Sequence, residues 1–279
     1  DLDEVVTRSQ EAWDKGATEV CLVGGIHPEF TGDFYASVLE SIKGSLPGMH
    51  VHAFTPLEVW QGAHTLGVPV RDYLERLRDS GLGSLPGTAA EILDDDVREH
   101  LCPDKIRTAE WAEVMIAAHE IGIRATSTIM CGHIDGPVSW ANHYEVLREI
   151  QRRTGGVTEF IPLPVVHMAS PIFLQGRSRP GPTRDEVVLV HAVARIAFDG
   201  LIPNIQASWV KLGLEGGANL LNAGCNDMGG TLMNESISRS SGASHGEEVT
   251  ADELEAVIRA HGRTPARRTT LYEIIEAPV

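Results

Sequence analysis

Chemistry-bearing side chains in this sequence gather where short apolar runs stop. His27 follows the run at 19–23, His52 sits in the run at 49–54, His133 follows 123–130 and His167 follows 157–166. Imidazole moves protons near neutral pH and ligates zinc. Any one of these histidines reads most simply as a hydrogen-bonded structural residue, whereas the four together outline a lined pocket. A zinc-dependent hydrolase is one chemistry they could serve, although no HExxH spacing is present. The same run ends carry Gly24-Gly25, the turn Gly87-Thr88-Ala89-Ala90 with Glu91, Cys131-Gly132, Gln206, and Asn226-Asp227. Adjacent glycines let a ligand approach the backbone closely, or simply make a tight turn. Glu91 could face a cationic ligand, or lie in the first turn of a helix, where a carboxylate complements the helix dipole. No Lys follows Gly24-Gly25 and no GxGxxG occurs, so nucleoside triphosphates and Rossmann-type cofactors are not expected.

Cys21, Cys102, Cys131 and Cys225 are far apart, and no pair has the close spacing of a zinc or iron–sulfur site. Buried, unpaired thiols are the expectation. With 23 Lys and Arg against 39 Asp and Glu, the net charge is −16. Nucleic acid and anionic membranes are therefore not expected partners, because both are bound through cationic neutralisation. No run of 18 apolar residues predicts a membrane span, and the opening DLDEVV lacks the layout of a signal peptide. The cytoplasm is the default expectation. The first residue is not Met and a helical pattern begins at once, so a missing upstream segment is expected.

These residues need elements to position them, and helical and strand-like patterns alternate along the whole chain. Helices are predicted over 2–15, 34–46, 56–66, 70–80, 108–121, 137–154, 183–198, 211–222, 251–261 and 270–275. Strands are predicted over 19–23, 49–54, 82–85, 123–130, 157–166 and 202–209, with a short seventh before Asn226-Asp227. Such alternation implies parallel strands with right-handed crossovers, hence an α/β fold. A closed eight-stranded barrel needs one strand more, and functional groups of a barrel sit on loops at the C-terminal strand ends. The alternative is an open doubly wound sheet, with its ligand at a strand-order switch. One domain over 1–279 is expected, ending in a helical extension from about 249.

Read in order, GATEVCLVGGIHPE, MHVHAFTPLEV, LPGTAAEILDDDVR, TGGVTEFIPLPVVH, NIQASWVKLG, NDMGGTLMNESISR and GRTPARRTTLY resemble the tyrosine-using component of the deazaflavin (FO) synthase family. These are radical S-adenosylmethionine (SAM) enzymes of coenzyme F420 biosynthesis. The likeness runs from about Asp1 to Glu276 and is strongest to the C-terminal half of the fused actinobacterial form. Radical enzymes of the futalosine route to menaquinone share several pieces and are the alternative; the NDMGGTLMNESISR segment favours the deazaflavin branch.

The resemblance implies a (β/α)8 TIM-type radical SAM barrel, here lacking its first strand and cluster loop. For the full-length family enzyme it implies two cofactors, S-adenosyl-L-methionine and a [4Fe–4S] cluster. The implied substrates are L-tyrosine and 5-amino-6-ribitylaminouracil, with a companion radical SAM domain or subunit that closes the deazaflavin ring. The implied reaction breaks the tyrosine Cα–Cβ bond and moves the 4-hydroxybenzyl unit to the uracil, leaving a glycine-derived imine. Carried over by position, Gly24 and Gly25 meet the methionyl ammonium of SAM through backbone carbonyls, and Glu91 is its acidic partner. His27, His52, His133, Gln206, Asn226 and Asp227 are expected along one rim, as contacts for tyrosine or the ribityl chain.

The sequence departs from the family pattern twice. The family's Cys-x3-Cys-x2-Cys loop is absent, so this chain alone is expected to hold no cluster and to be inactive. Cys131 stands where the family has Tyr. A fragment of a longer gene product is expected rather than a degenerate copy, and a barrel that binds without catalysing is the remaining alternative.

Overall fold

The computed structural model describes residues 1–232, 242 and 248–276. Five parallel strands form one sheet in chain order: β1 (Glu19–Leu22), β2 (His50–Ala53), β3 (Ser84–Leu85), β4 (Arg124–Cys131) and β5 (Val157–Pro164). Beyond β5, Ile205 pairs with Phe160 and Asp227 with Gln206, each through one parallel bridge. All seven expected strand positions are therefore present side by side. The expected strand at 202–209 shrinks to a bridge because Pro203 has no N–H to give and Trp209 already opens a helix. Strand order never reverses, which removes the doubly wound alternative and leaves a partial (β/α) barrel.

Alternation along the strands separates two faces. In β4, Ala125, Ser127, Ile129 and Cys131 are fully buried, and Thr126 and Thr128 point to the other side. In β5, Phe160 stacks edge-on against Tyr144 and Phe198, with ring centroids 5.5 and 4.9 Å away. Phe160 thus belongs to the helix layer, and Glu159 beside it faces the lumen.

The outer layer comprises α1 (Leu2–Asp14), α2 (Gly32–Ser45), α3 (Pro56–Leu66), α4 (Val70–Asp79), α5 (Asp95–Leu101), α6 (Thr108–Glu120) and α7 (Pro137–Thr154). It continues with α8 (Pro171–Leu174), α9 (Arg184–Ala197), α10 (Trp209–Asn219) and α11 (Ala251–Ala260). Two of these, α5 and α8, were not expected. α10 breaks at Gly213, whose φ is +72°, and a 3-10 turn at Leu220–Asn222 finishes the segment expected as a single helix over 211–222.

The expected helix over 270–275 is corrected. That stretch belongs to an antiparallel hairpin of β6 (Arg267–Arg268) and β7 (Ile274–Glu276). Tyr and Ile favour strands, and Tyr272 turns the chain in a left-handed conformation at φ +69°, which a helix cannot accommodate. The extension after 249 is therefore one helix and one hairpin. Residues 233–239 of the NDMGGTLMNESISR segment lie outside the described residues.

Candidate active site

The loop after β3 is the most constrained part of the site. Gly87 donates its N–H to Thr126 Oγ1 at 2.9 Å and accepts from Thr128 Oγ1 at 2.8 Å. A Cβ at Gly87 would lie 2.3 Å from the Thr126 carbonyl oxygen, so only glycine fits. Ala89 and Glu91 both adopt left-handed backbone, with φ of +59° and +45°. Such conformations persist where surroundings over-determine them. Arg98 does this from α5: its buried guanidinium donates to the carbonyls of Ala90, Ile92 and Ile106. Leu93 N donates to His143 Nδ1 at 2.8 Å, and Met130 N to the Glu91 carbonyl at 2.7 Å. The Glu91 carboxylate meets Lys105 Nζ at 2.5 Å. Because α5 starts only at Asp95, Glu91 is not a first-turn helix acid.

The loop after β1 is open by contrast. Gly24 N donates to Glu58 Oε1 at 2.8 Å, while Glu58 Oε2 accepts from Thr55 N and caps α3. Gly25 has φ +69°. His27 is exposed; its Nδ1 accepts from Glu29 N and its ring lies 4.5 Å from that of Phe30.

After β4, the Asp135 carboxylate gathers the N–H groups of Gly132 and His133 and the Trp140 indole N–H. His133 is buried with both ring nitrogens occupied: Nε2 donates to the Met130 carbonyl and Nδ1 accepts from Ile134 N. Burial pushes its pKa down, which keeps the ring neutral. Burial, and then Asp135, push the adjacent Cys131 thiol up to about 12, so it stays a neutral thiol.

The lumen below is polar. His50 and His52 both meet the Ser84 hydroxyl at 2.7 Å. Burial pushes His52 down to about 3. Glu159 Oε2 accepts from Tyr272 Oη at 2.7 Å and Gln206 Nε2 at 3.0 Å, with Arg268 at 3.5 Å. Arg268 also holds both oxygens of Asp227. Thr270, at the hairpin turn, donates to Glu19 at the start of β1. The hairpin thereby forms a floor under the N-terminal end of the strands.

The single rim expected from sequence is corrected to separate levels. Gly24-Gly25, His27, Glu91 and His133 lie at C-terminal strand ends. Gln206 and Asp227 lie lower, because they pair level with the first half of β5, and His52 lies in the lumen one residue before the end of β2. Asn226 is turned to the helix side, where Oδ1 accepts from Arg195 Nη2 at 2.7 Å and Ile205 N at 2.9 Å. Sequence reasoning missed Arg98, Lys105, Asp135, Glu159, Arg268 and Tyr272, whose partners are distant in the chain or hidden in loops. His50 and His52, two apart on β2, bring both imidazoles to the Ser84 hydroxyl, a pairing that their spacing in the sequence signals.

All four cysteines are free, three of them buried, and the described residues contain no group of three His, Cys, Asp or Glu able to hold a metal. They do not fit a [4Fe–4S] cluster or a zinc site. No described helix is long and apolar enough to cross a membrane.

A parallel barrel with ligand-facing loops at its C-terminal strand ends defines an enzyme scaffold, and comparison with known proteins gives its class. Residues 1–147 match the radical SAM superfamily and residues 154–279 the CofH/MqnC C-terminal region. The 5-amino-6-(D-ribitylamino)uracil--L-tyrosine 4-hydroxyphenyl transferase of Methanopyrus kandleri is 52% identical over 98% of this chain and 74% of its own length. The enzyme of that name from Methanothermobacter thermautotrophicus is 48% identical, over 99% and 75%. The FO synthase of Streptomyces avermitilis is 51% identical over 97% of this chain, which spans 32% of that protein. Among solved structures, methylornithine synthase aligns with 96% of the chain and 74% of its own at a TM-score of 0.69 and 15% identity, a likeness of fold alone. The chain belongs to the radical SAM superfamily and, within it, to the family of these 4-hydroxyphenyl transferases.

Proposed function

We propose that this chain is the tyrosine-using barrel of FO synthesis, on the route to coenzyme F420. In an enzyme that also holds the [4Fe–4S] cluster, which the described residues do not fit, it moves the 4-hydroxybenzyl unit of L-tyrosine to 5-amino-6-ribitylaminouracil, with a glycine-derived imine as the other product. The observation that carries this reading is identity at about half of all positions, across 98% of the chain, with a transferase named for both substrates. The chain spans only about a third of the FO synthases it matches, which supports a companion domain or subunit that completes the deazaflavin ring.

S-adenosyl-L-methionine, when bound and reduced by one electron from the [4Fe–4S] cluster of the full-length enzyme, would supply the hydrogen-abstracting radical chemistry of the superfamily. Gly24-Gly25 offers it bare backbone in an exposed loop, and Glu91 offers a carboxylate fixed by a strained, well-braced turn. Glu91 already holds the ammonium of Lys105, so the position suits a cation, and the ligand's ammonium would share or replace that partner. The described residues include no set of cluster ligands. His27, His52, Gln206 and Asp227 are the remaining groups toward tyrosine or the ribityl chain; His133 and Asn226 act by holding their loops.

Calorimetric titration of the chain tests the reading. Saturable binding of L-tyrosine, the ribitylaminouracil and SAM is expected, and failure to bind any of them removes it. Glu91→Gln should weaken SAM alone, about 10- to 150-fold. Unchanged SAM affinity would leave Glu91 as a loop residue only.

A further inference from the structure

A cavity of about 150 Å³ lies where the two bridging segments end, lined by Gln206, Ser208, Trp209, Met228, Gly229 and Gly230 among others. A cavity of about 150 Å³ accepts a benzene ring. Trp209 lines it, with its indole N–H donated to the Gly230 carbonyl at 3.0 Å.

The polar wall is the Gln206 carboxamide, and its orientation is set from below. Its nitrogen donates to Glu159 Oε2 at 3.0 Å, the oxygen that also takes the Tyr272 hydroxyl and faces Arg268. Arginine can only donate, so Oε2 is an acceptor. The carboxamide must therefore turn its nitrogen to Glu159 and leave its own oxygen for another partner. That oxygen accepts no hydrogen bond among the described residues. Gly229, at φ +74°, keeps it uncovered, since a Cβ there would lie 3.3 Å away.

We propose that this cavity binds a planar six-membered ring that presents a hydrogen-bond donor to the Gln206 carboxamide oxygen. The proposal rests on the function proposed above, which offers two such rings: the phenol of L-tyrosine, through O–H, and the uracil, through N–H. Glu159 and Tyr272 are positioning residues here, acting through Gln206.

Two variants test it. Gln206→Met keeps the side-chain length and removes the acceptor. Gly230→Leu fills the space, because a Cβ at Gly230 meets nothing within 4 Å. Each is titrated with L-tyrosine, L-phenylalanine and 5-amino-6-ribitylaminouracil, with circular dichroism and thermal melting as folding controls. Losing one hydrogen bond should weaken the occupant about ten-fold in Gln206→Met, and Gly230→Leu should weaken the same ligand at least as much. If the phenol is the occupant, the wild type prefers tyrosine to phenylalanine about ten-fold and Gln206→Met loses that preference. If the uracil is the occupant, its affinity falls and the tyrosine–phenylalanine ratio stays constant. Should either folded variant keep wild-type affinity for both tyrosine and the aminouracil, this proposal is overturned and the function stands. A wild-type chain that binds neither overturns both.

Discussion

Tyr272 donates its hydroxyl to Glu159 at 2.7 Å, joining residues 113 positions apart in sequence. Through this bond the C-terminal hairpin is fastened to the lumen face of β5. Tyr272→Phe removes one donor from a buried carboxylate and should lower stability by about 1–3 kcal/mol. Chemical denaturation measures that loss. Hydrogen exchange should show faster opening of residues 267–276 than of β4; equal protection in both would separate the hairpin from this bond.

Glu159 also makes stability depend on pH. Burial, and then Asp227, push its carboxyl up to about 7 from 4.5, against the pull of Arg268 and the Tyr272 hydroxyl; Glu19 adds further negative charge. A raised carboxyl pKa means that the folded chain holds its proton more firmly than the unfolded chain. The stabilising contribution is full below about pH 4.5 and is lost as pH rises through about 7. A Glu159→Gln variant lacks this titration. Its stability relative to wild type should improve between pH 5 and pH 8, on the order of 1–3 kcal/mol. A difference constant across that range would show that Glu159 ionises normally.

Arg98→Met tests the bracing of the Glu91 loop. The change leaves three loop carbonyls without their donor, and a loss of roughly 2–5 kcal/mol is expected from denaturant titration. Lys105→Met, in the connection that follows α5, should cost less than Arg98→Met, because the Lys105 side chain is partly exposed and holds one partner rather than three. Comparable losses in the two variants would remove the special role given to Arg98.

The isolated chain should take up no iron–sulfur cluster. Its four thiols are free and three are buried, with burial pushing Cys131 and Cys225 up to about 12. Anaerobic incubation with iron and sulfide, followed by metal analysis, should find no stoichiometric cluster. Stoichiometric [4Fe–4S] absorbance that disappears on mutating Cys21 or Cys131 would contradict this.

Local patterns carried most of the barrel into view. Gly67 and Gly155 stop α3 and α7 in left-handed conformations, and apolar periodicity marks the helices between. The levels of the site were harder to see, because height along a strand depends on pairing register. Asp227 looks like a loop-end acid in sequence, yet its bridge to Gln206 sets it low in the lumen beside Arg268. Arg98, within DDDVREH, reads as a solvated helical charge; only the fold of the preceding loop brings three carbonyls to it. Glu159 alternates with Phe160 as a solvent-facing residue would, and the C-terminal hairpin, through Tyr272 and Arg268, covers that face.

The floor hairpin also sets an order of assembly. Thr270 reaches Glu19 across 251 positions, and Arg268 reaches Glu159 across 109. Contacts so distant along the chain carry a large loop-closure cost and form slowly. Neither partner exists as a docking point until β1 and β5 lie in one sheet. The hairpin is thus expected to dock after the strands have assembled, which would make the polar base of the lumen a late-forming part of the fold.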